Sequence, residues 1–330
     1  MTLRIGTRGS ALAMSQAGMV ARQISEQTGM PTELVPITTA GDTSNAPVAR
    51  LGVGVFVSAL REALVDKEVD LAVHSYKDLP TAPDDRLQVV AVPPRVDPRD
   101  ALVTPQGRGL ADLPPGARVG TGAPRRIAQL HALGRGLVPV PVRGNVDSRL
   151  ARVTSGELDA LLLASAGLIR LGRADVITET LDPAVLLPAP AQGALAVECR
   201  ADDQYLLETL AALDHLPSRA AVVAERTMLA TLEAGCSAPV AGYAELTPTG
   251  AFRLTGAVIA LDGTRSIRHS RIIAAPGTGP ELIDVARRLG EELAADLLAA
   301  GAQTIMAARG PGGAEPTRST GEHSRSDDDS

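Results

Sequence analysis

Arginines recur in this sequence where an apolar run gives way to a helical one. Gly120-Thr121-Gly122-Ala123-Pro124-Arg125-Arg126 lies between a strand-like and a helix-like segment, with proline where a first helical turn accepts it. Helix starts present backbone N–H groups and a positive dipole end, and guanidinium forks bind carboxylate or phosphate bidentately. The competing reading is a solvated helix start. Thr7-Arg8-Gly9-Ser10 repeats the construction, with Ser10 placed to cap the next helix. Val142-Arg143-Gly144-Asn145-Val146-Asp147-Ser148-Arg149 is a third case, with a strand ending at Arg143 and a helix beginning near Asn145. Arg170, in Ala166-Gly167-Leu168-Ile169-Arg170-Leu171-Gly172, is a fourth. Singly each is weak. Gathered in one half of an acidic chain, they point to a ligand bearing several negative charges.

Two further residue types could react. Asp78 follows an apolar strand in Ser75-Tyr76-Lys77-Asp78-Leu79-Pro80, where a cleft carboxylate serves as general acid/base or stabilises a developing cation. A turn-forming aspartate is the bland alternative. His74, within the strand, reads as a packed residue. Cys199 lies in the apolar run Leu195-Ala196-Val197-Glu198-Cys199 and reads as an inert core thiol. Cys236, in Glu233-Ala234-Gly235-Cys236-Ser237-Ala238-Pro239, lies in a loop after a long helical run. There it is a nucleophile, a modification site or a tolerated thiol.

The elements that must hold these residues alternate between strands and helices, the α/β pattern. Strands are expected over Leu3–Thr7, Glu33–Thr39, Leu71–His74 and Leu87–Val92, and helices over Ala11–Glu26 and Phe56–Asp66. Pro93–Pro98 reads as a linker. A second α/β unit then echoes the first. Arg4-Ile5-Gly6-Thr7 reappears as Arg118-Val119-Gly120-Thr121, and Glu68–Ser75 has a looser partner in Glu157–Ser165. Two similar lobes whose strand ends face each other would share one cleft. Asp182-Pro183 and Leu187-Pro188-Ala189-Pro190 suggest a second crossover, followed by a strand over Leu195–Glu198. From about Ala201 the pattern changes. Helices over Gln204–Leu213 and Ser218–Glu233 precede strands over Val240–Leu246, Phe252–Ala260 and Ser266–Ile273, and a helix over Pro280–Ala300. The last residues, Gly310–Ser330, read as disordered.

Composition narrows the class. Hydrophobic residues make up 45% of the 330 positions, as in an ordinary globular protein. Two cysteines argue against a disulfide framework, and 5 histidines without ligand spacing argue against a metal site. A net charge of −6 and 2% aromatics argue against nucleic acid. No apolar run approaches the roughly 20 residues that cross a bilayer, and the N-terminal sequence lacks the regions of a signal peptide. The expectation is a cytoplasmic protein acting on a small molecule, with no membrane or nucleic-acid partner.

Taken in order, the motifs resemble the porphobilinogen deaminase (hydroxymethylbilane synthase) family. Those that carry the likeness are Gly6-Thr7-Arg8-Gly9-Ser10, Val73-His74-Ser75-Tyr76-Lys77-Asp78-Leu79-Pro80, Pro124-Arg125-Arg126, Val142-Arg143-Gly144-Asn145-Val146, Pro190-Ala191-Gln192-Gly193-Ala194 and Leu232-Glu233-Ala234-Gly235-Cys236. The resemblance implies an α/β fold of two periplasmic-binding-protein-like (type II) lobes with a small C-terminal α+β domain. Lobe 1 would span 1–93 and 191–212, lobe 2 94–190, and the third domain 213–308, before a tail at 309–330.

The implied enzyme is a monomeric transferase of tetrapyrrole and heme biosynthesis. It condenses four porphobilinogens head to tail on a dipyrromethane primer, with loss of ammonia, then releases the linear tetrapyrrole by hydrolysis. Cys236 matches the cysteine that holds dipyrromethane through a thioether, and Asp78 the essential aspartate. Arg8, Ser10, Lys77, Asp78, Arg125, Arg126, Arg143 and Gly144 match cofactor contacts. Arg8, Phe56, Arg143, Arg149, Arg170, Gln16 and Gln192 match substrate contacts. A carboxylate near the pyrrole N–H would stabilise the cation left when ammonia departs. Acetate and propionate on each ring explain the arginines.

The chain departs from the family at Gly122-Ala123, where many relatives carry hydroxyl residues, and at Val53 and Ser58, which replace lysines. The Gly-rich stretch Asp42–Val53 reads as a mobile lid. Two alternatives stay open: a non-enzymatic two-lobed anion-binding protein, and a paralogue that turns over poorly.

Overall fold

The computed structural model describes residues 2–38, 57–234, 238–247, 250–274, 277 and 279–307. The expectations placed on Asp42, Val53, Phe56, Cys236 and the tail lie outside the described residues.

Three sheets organise the chain. The first has the order β2-β1-β3-β10-β4, built from β1 (Leu3–Arg8), β2 (Thr32–Ile37), β3 (Leu71–Ser75), β4 (Leu87–Ala91) and β10 (Leu195–Arg200). The second has the order β7-β6-β8-β5-β9, from β5 (Asp100–Val103), β6 (Arg118–Thr121), β7 (Val138–Pro141), β8 (Ala160–Ala164) and β9 (Glu179–Thr180). Their topologies match. In each, a central strand pairs in parallel with the next two strands of its unit. In each, one strand that arrives by a crossover, β10 or β5, runs antiparallel to both neighbours. The sequence echo therefore marks equivalent strands: β1 with β6, and β3 with β8.

Helices cover both faces of these sheets, which is why β3 and β8 read as continuous apolar runs. In the first lobe α1 (Ala11–Thr28), α2 (Ser58–Val65) and α6 (Gln204–Leu210) do so; in the second, α3 (Pro124–Ala132), α4 (Val146–Thr154) and α5 (Ser165–Arg170). Leu3, Ile5, Val20, Ile24 and Leu71 meet in one core, and Leu102, Val119, Leu130 and Leu162 in another. The third sheet is the antiparallel β11-β12-β13, over Val240–Leu246, Ala251–Ile259 and Ser266–Ala274. Against it pack α7 (Leu216–Thr231) and α8 (Glu281–Ala299), with the short α9 (Ala302–Ala307) beyond. Among the described residues no helix is long and apolar enough to cross a membrane.

The structure refines several expected boundaries. The linker over Pro93–Pro98 leads into β5, an unforeseen strand, because four residues are too few to show a period. The run from Gln204 is α-helical only to Leu210 and continues as a 3-10 turn over Ala211–Leu213. The two crossovers lie side by side: the Val96 amide donates to the Gly193 carbonyl at 3.2 Å. Gly193 has φ +86°, and a Cβ there would clash with the Val96 carbonyl oxygen. Only glycine fits, on both counts.

Candidate active site

In open α/β sheets the C-terminal ends of parallel strands form the binding edge. The predicted residues sit there in both lobes. Arg8 is the last residue of β1, and the 3-10 turn Tyr76–Asp78 follows β3 directly. In the second lobe α3, bearing Arg125 and Arg126, starts after β6; Arg143 and Gly144 follow β7; α5, ending in Arg170, follows β8. The two edges touch. Ser15 Oγ on α1 donates to the Arg170 carbonyl at 2.7 Å, and Gln192 Oε1 accepts both from Lys77 Nζ at 3.4 Å and from Arg125 Nη2 of the second lobe at 3.0 Å. Ser10 caps α1, accepting from the Ala13 amide at 3.3 Å, and Asn145 caps α4, accepting from the Ser148 amide at 2.8 Å. Gln16 is buried and accepts from Ser75 Oγ at 3.0 Å, bracing the end of β3.

Charge in this cleft is unbalanced. Burial lowers the Lys77 ammonium to about 8, with Asp78 opposing and Arg126 and Arg125 adding to the fall. Burial, and then the neighbouring Arg126 and Arg143 charges, lower the Arg149 guanidinium. Burial brings Arg170 down to about 10. Cations forced together in this way favour an added anion. Arg126 Nε, Arg170 Nε and Ser165 Oγ are buried with no hydrogen-bond partner among the described residues. Arg149 Nε donates to the Gly144 carbonyl at 2.9 Å, and Arg170 Nη2 to the Gly193 carbonyl at 2.8 Å. Asp78 itself is exposed at the edge.

Two of the expected ligand contacts have internal partners. Arg125, like Arg126, is 5% exposed. Its Nη1 donates to Asp100 Oδ2 at 2.7 Å and the Leu187 carbonyl at 3.0 Å; its Nη2 donates to Asp100 Oδ1 at 2.9 Å and Gln192 Oε1 at 3.0 Å. Gln192, the expected substrate contact, lies in the second crossover. It is fully buried, and its Nε2 donates to the Pro98 carbonyl and to Asp100. Both side chains are engaged inside the protein, on the internal carboxylate Asp100 and on each other. The hydroxyl-lacking Gly122 also has a steric reason: a Cβ there would meet the Val142 carbonyl oxygen at 2.8 Å. Ala123, the N-cap of α3, makes no side-chain cap.

The readings of His74 and Cys199 hold. His74 Nε2 lies 3.2 Å from the buried Glu198 carboxylate, which also takes a fork from Arg61. Cys199 is fully buried, and burial pushes its thiol up to about 11.

The sequence reading missed the residues that carry this edge. Arg226 of α7 donates to the carbonyls of Tyr76, Leu79 and Pro80 at 3.2, 2.8 and 2.6 Å. Its guanidinium lies 4.6 Å from the Tyr76 ring centre. The turn bearing Asp78 is thus clamped by a helix of the third domain. Next to it, buried Glu225 accepts from Arg95 of the first crossover at 2.7 and 3.0 Å and from the Ala191 amide of the second at 2.5 Å. No local pattern marks such residues, since their partners are 19 to 150 positions away.

Residues 3–208 match the family model described as porphobilinogen deaminase, dipyromethane cofactor binding domain, and residues 220–299 match the porphobilinogen deaminase C-terminal domain. The chain belongs to the porphobilinogen deaminase family. It is 56% identical over 312 residues to the porphobilinogen deaminase of Nocardia farcinica, covering 92% of this chain and 88% of that one. It is 54% identical over 316 residues to porphobilinogen deaminase 1 of Streptomyces coelicolor, covering 93% and 98%. Among solved structures, a putative methionine-binding lipoprotein from Bacillus subtilis aligns with a TM-score of 0.40 and 14% identity, over 64% of this chain and 89% of that one.

As a member of this family, the chain is a transferase of the hydroxymethylbilane synthase type with a dipyrromethane cofactor. The residues present fit that group. It carries several carboxylates, and the described edge offers crowded cations and buried N–H groups still lacking acceptors.

Proposed function

We propose that Asp78 is the catalytic carboxylate and Cys236 the thioether anchor of a chain-building cleft between the two lobes. The observation that carries this reading is the meeting of an exposed carboxylate on one strand edge with crowded, partly unsatisfied cations on the facing edge. The cofactor, when bound, supplies the tethered pyrrole onto which substrate units are added. Asp78, held at the tip of a clamped turn, stabilises the positive charge that develops on the substrate ring as ammonia leaves, and moves protons to and from the reacting atoms. Lys77, Arg8, Ser10, Arg126, Arg143 and Gly144 hold cofactor carboxylates. Arg149, Arg170, Arg8, Arg143, Gln16 and Phe56 orient the incoming porphobilinogen. Arg125 and Gln192 act from behind this surface.

The strand memberships support a division into 1–93 with 191–212, 94–190 and 213–308, because β10 returns to the first sheet. The reading is completed as a monomeric cytoplasmic enzyme, and the acidic, aromatic-poor composition weighs against a nucleic-acid partner.

Intact-mass measurement tests the anchor. The protein as isolated should be heavier than its sequence by one dipyrromethane unit, and Cys236→Ser should remove the excess. An unmodified parent protein from cells with a working substrate pathway would overturn the reading.

A further inference from the structure

A buried carboxylate that the sequence reading passed over connects the two strand edges. Asp100 opens β5, just after the first crossover, and is fully buried. It receives the Arg125 fork at 2.7 and 2.9 Å, Arg126 Nη2 at 2.7 Å and Gln192 Nε2 at 2.8 Å. Gln192 Oε1 in turn accepts from Lys77 Nζ at 3.4 Å. A hydrogen-bonded chain thus runs from Arg126 in the second lobe, through Asp100 and the second crossover, to the residue preceding Asp78 in the first.

We propose that Asp100 is a positioning residue: with Arg125 and Gln192 behind the binding surface, it holds Arg126 and, through Gln192, Lys77 in place, as one array, toward the growing polyanionic chain. Charge and geometry agree on this. One carboxylate between two guanidinium groups leaves a positive charge over, so the array is neutralised enough to be buried yet keeps a cation for the ligand. Both forks are also fixed: Arg126 Nη1 is tied to the Leu162 carbonyl at 3.0 Å, while its Nε keeps no partner among the described residues. Preorganised donors of this kind cost no rearrangement when the ligand arrives. Although burial alone would raise it, the two arginine charges hold the Asp100 carboxyl well below the usual carboxylate range, so it stays ionised.

The two lysines of this chain, Lys67 and Lys77, make the array directly observable. Holoenzyme labelled with carbon-13 lysine shows two side-chain titrations, with exposed Lys67 as the internal control. In Asp100→Asn, compared at matched cofactor loading, the Lys77 midpoint should shift to lower pH while Lys67 stays fixed, and Asp100→Glu should restore it. Intact mass should also show a smaller cofactor-loaded fraction in Asp100→Asn. Gln192→Leu, which keeps the Asp100–arginine pairs, should reproduce the Lys77 shift and carries the test if Asp100→Asn does not fold. An unmoved Lys77 midpoint in either folded variant overturns the proposal. The loading arm alone rests on Arg126 and Lys77 being cofactor contacts. A shifted Lys77 with unchanged loading would keep the array and overturn that assignment instead.

Discussion

In the first lobe the Arg4 amide donates to Asp70 Oδ2 at 2.9 Å, the Asp70 amide donates back to the Arg4 carbonyl at 2.8 Å, and Arg4 Nη2 reaches the Lys67 carbonyl at 2.9 Å. In the second lobe Arg118 and Asp159 make the same reciprocal bonds at 2.7 and 3.0 Å, and Arg118 Nη2 reaches the Gly156 carbonyl at 2.9 Å. The clasp joins the central strand to the third strand of each sheet, away from the cleft. At the opposite strand ends the likeness stops. The first lobe ends β3 in Lys77 and Asp78; the second ends its strands in Arg125, Arg126, Arg143 and, one helix on, Arg170. The frame is shared and the loading is not. On the proposed reading the carboxylate Asp78 belongs to the first edge alone, while cations for the anion come from both edges, Arg8 and Lys77 on the first and the larger arginine group on the second.

The contrast is broken most sharply at Asp78. Asp78→Ala should lower turnover by ~10³-fold or more, the scale on which acid–base and electrostatic contributions act together. Its thermal midpoint should stay at the parent value, because the side chain is exposed. Near-parental turnover would remove Asp78 from its role.

On the other side, Arg126→Leu should leave the chemistry in place but impair cofactor loading and chain extension, seen by mass as a deficit of loaded and extended protein. It should also cost about 1–3 kcal/mol in denaturant unfolding, since the Leu162 carbonyl and one face of Asp100 lose a buried donor. Normal loading and extension would show that the second edge does not bind the anion.

The smallest effect concerns the clasps, alike in geometry but not in burial. The Asp70 side chain is 5% exposed and that of Asp159 44%. Asp70→Asn should therefore cost about 1–2 kcal/mol, and Asp159→Asn should stay within about 0.5 kcal/mol of the parent. Burial would raise the Asp70 carboxyl, but the Arg4 hydrogen bonds win and hold it below its ordinary value. A lowered folded-state value stabilises above the unfolded carboxylate's pKa of about 4 and is lost as pH falls through the folded one. The gap between Asp70→Asn and its parent should thus narrow on acidification below about pH 4. A pH-independent gap would mean that the clasp acts by packing rather than charge.

What could be read without the structure was whatever repeats or punctuates. The β1 and β6 echo, the β3 and β8 runs and the glycine- and proline-marked crossovers follow from local periodicity and backbone preference. So does the gathering of arginines at strand ends. The ordered motifs could also name the family. Which arginine faces a ligand was not local. Arg125 and Arg126 are adjacent, identical in type and equally buried, and each has both Nη atoms on internal acceptors; what separates them is that Arg125 is tied on to Gln192 while Arg126 keeps a buried Nε unsatisfied among the described residues. That difference depends on Asp100, 25 residues upstream, and on Gln192, 67 residues downstream. Only folding the crossovers together sets them there. Sequence determined which chemistry the chain carries and where along it; the tertiary structure decided which charges are spent inside and which are left for the cleft. The physical reason is that a buried charge must find its partner wherever the fold supplies one.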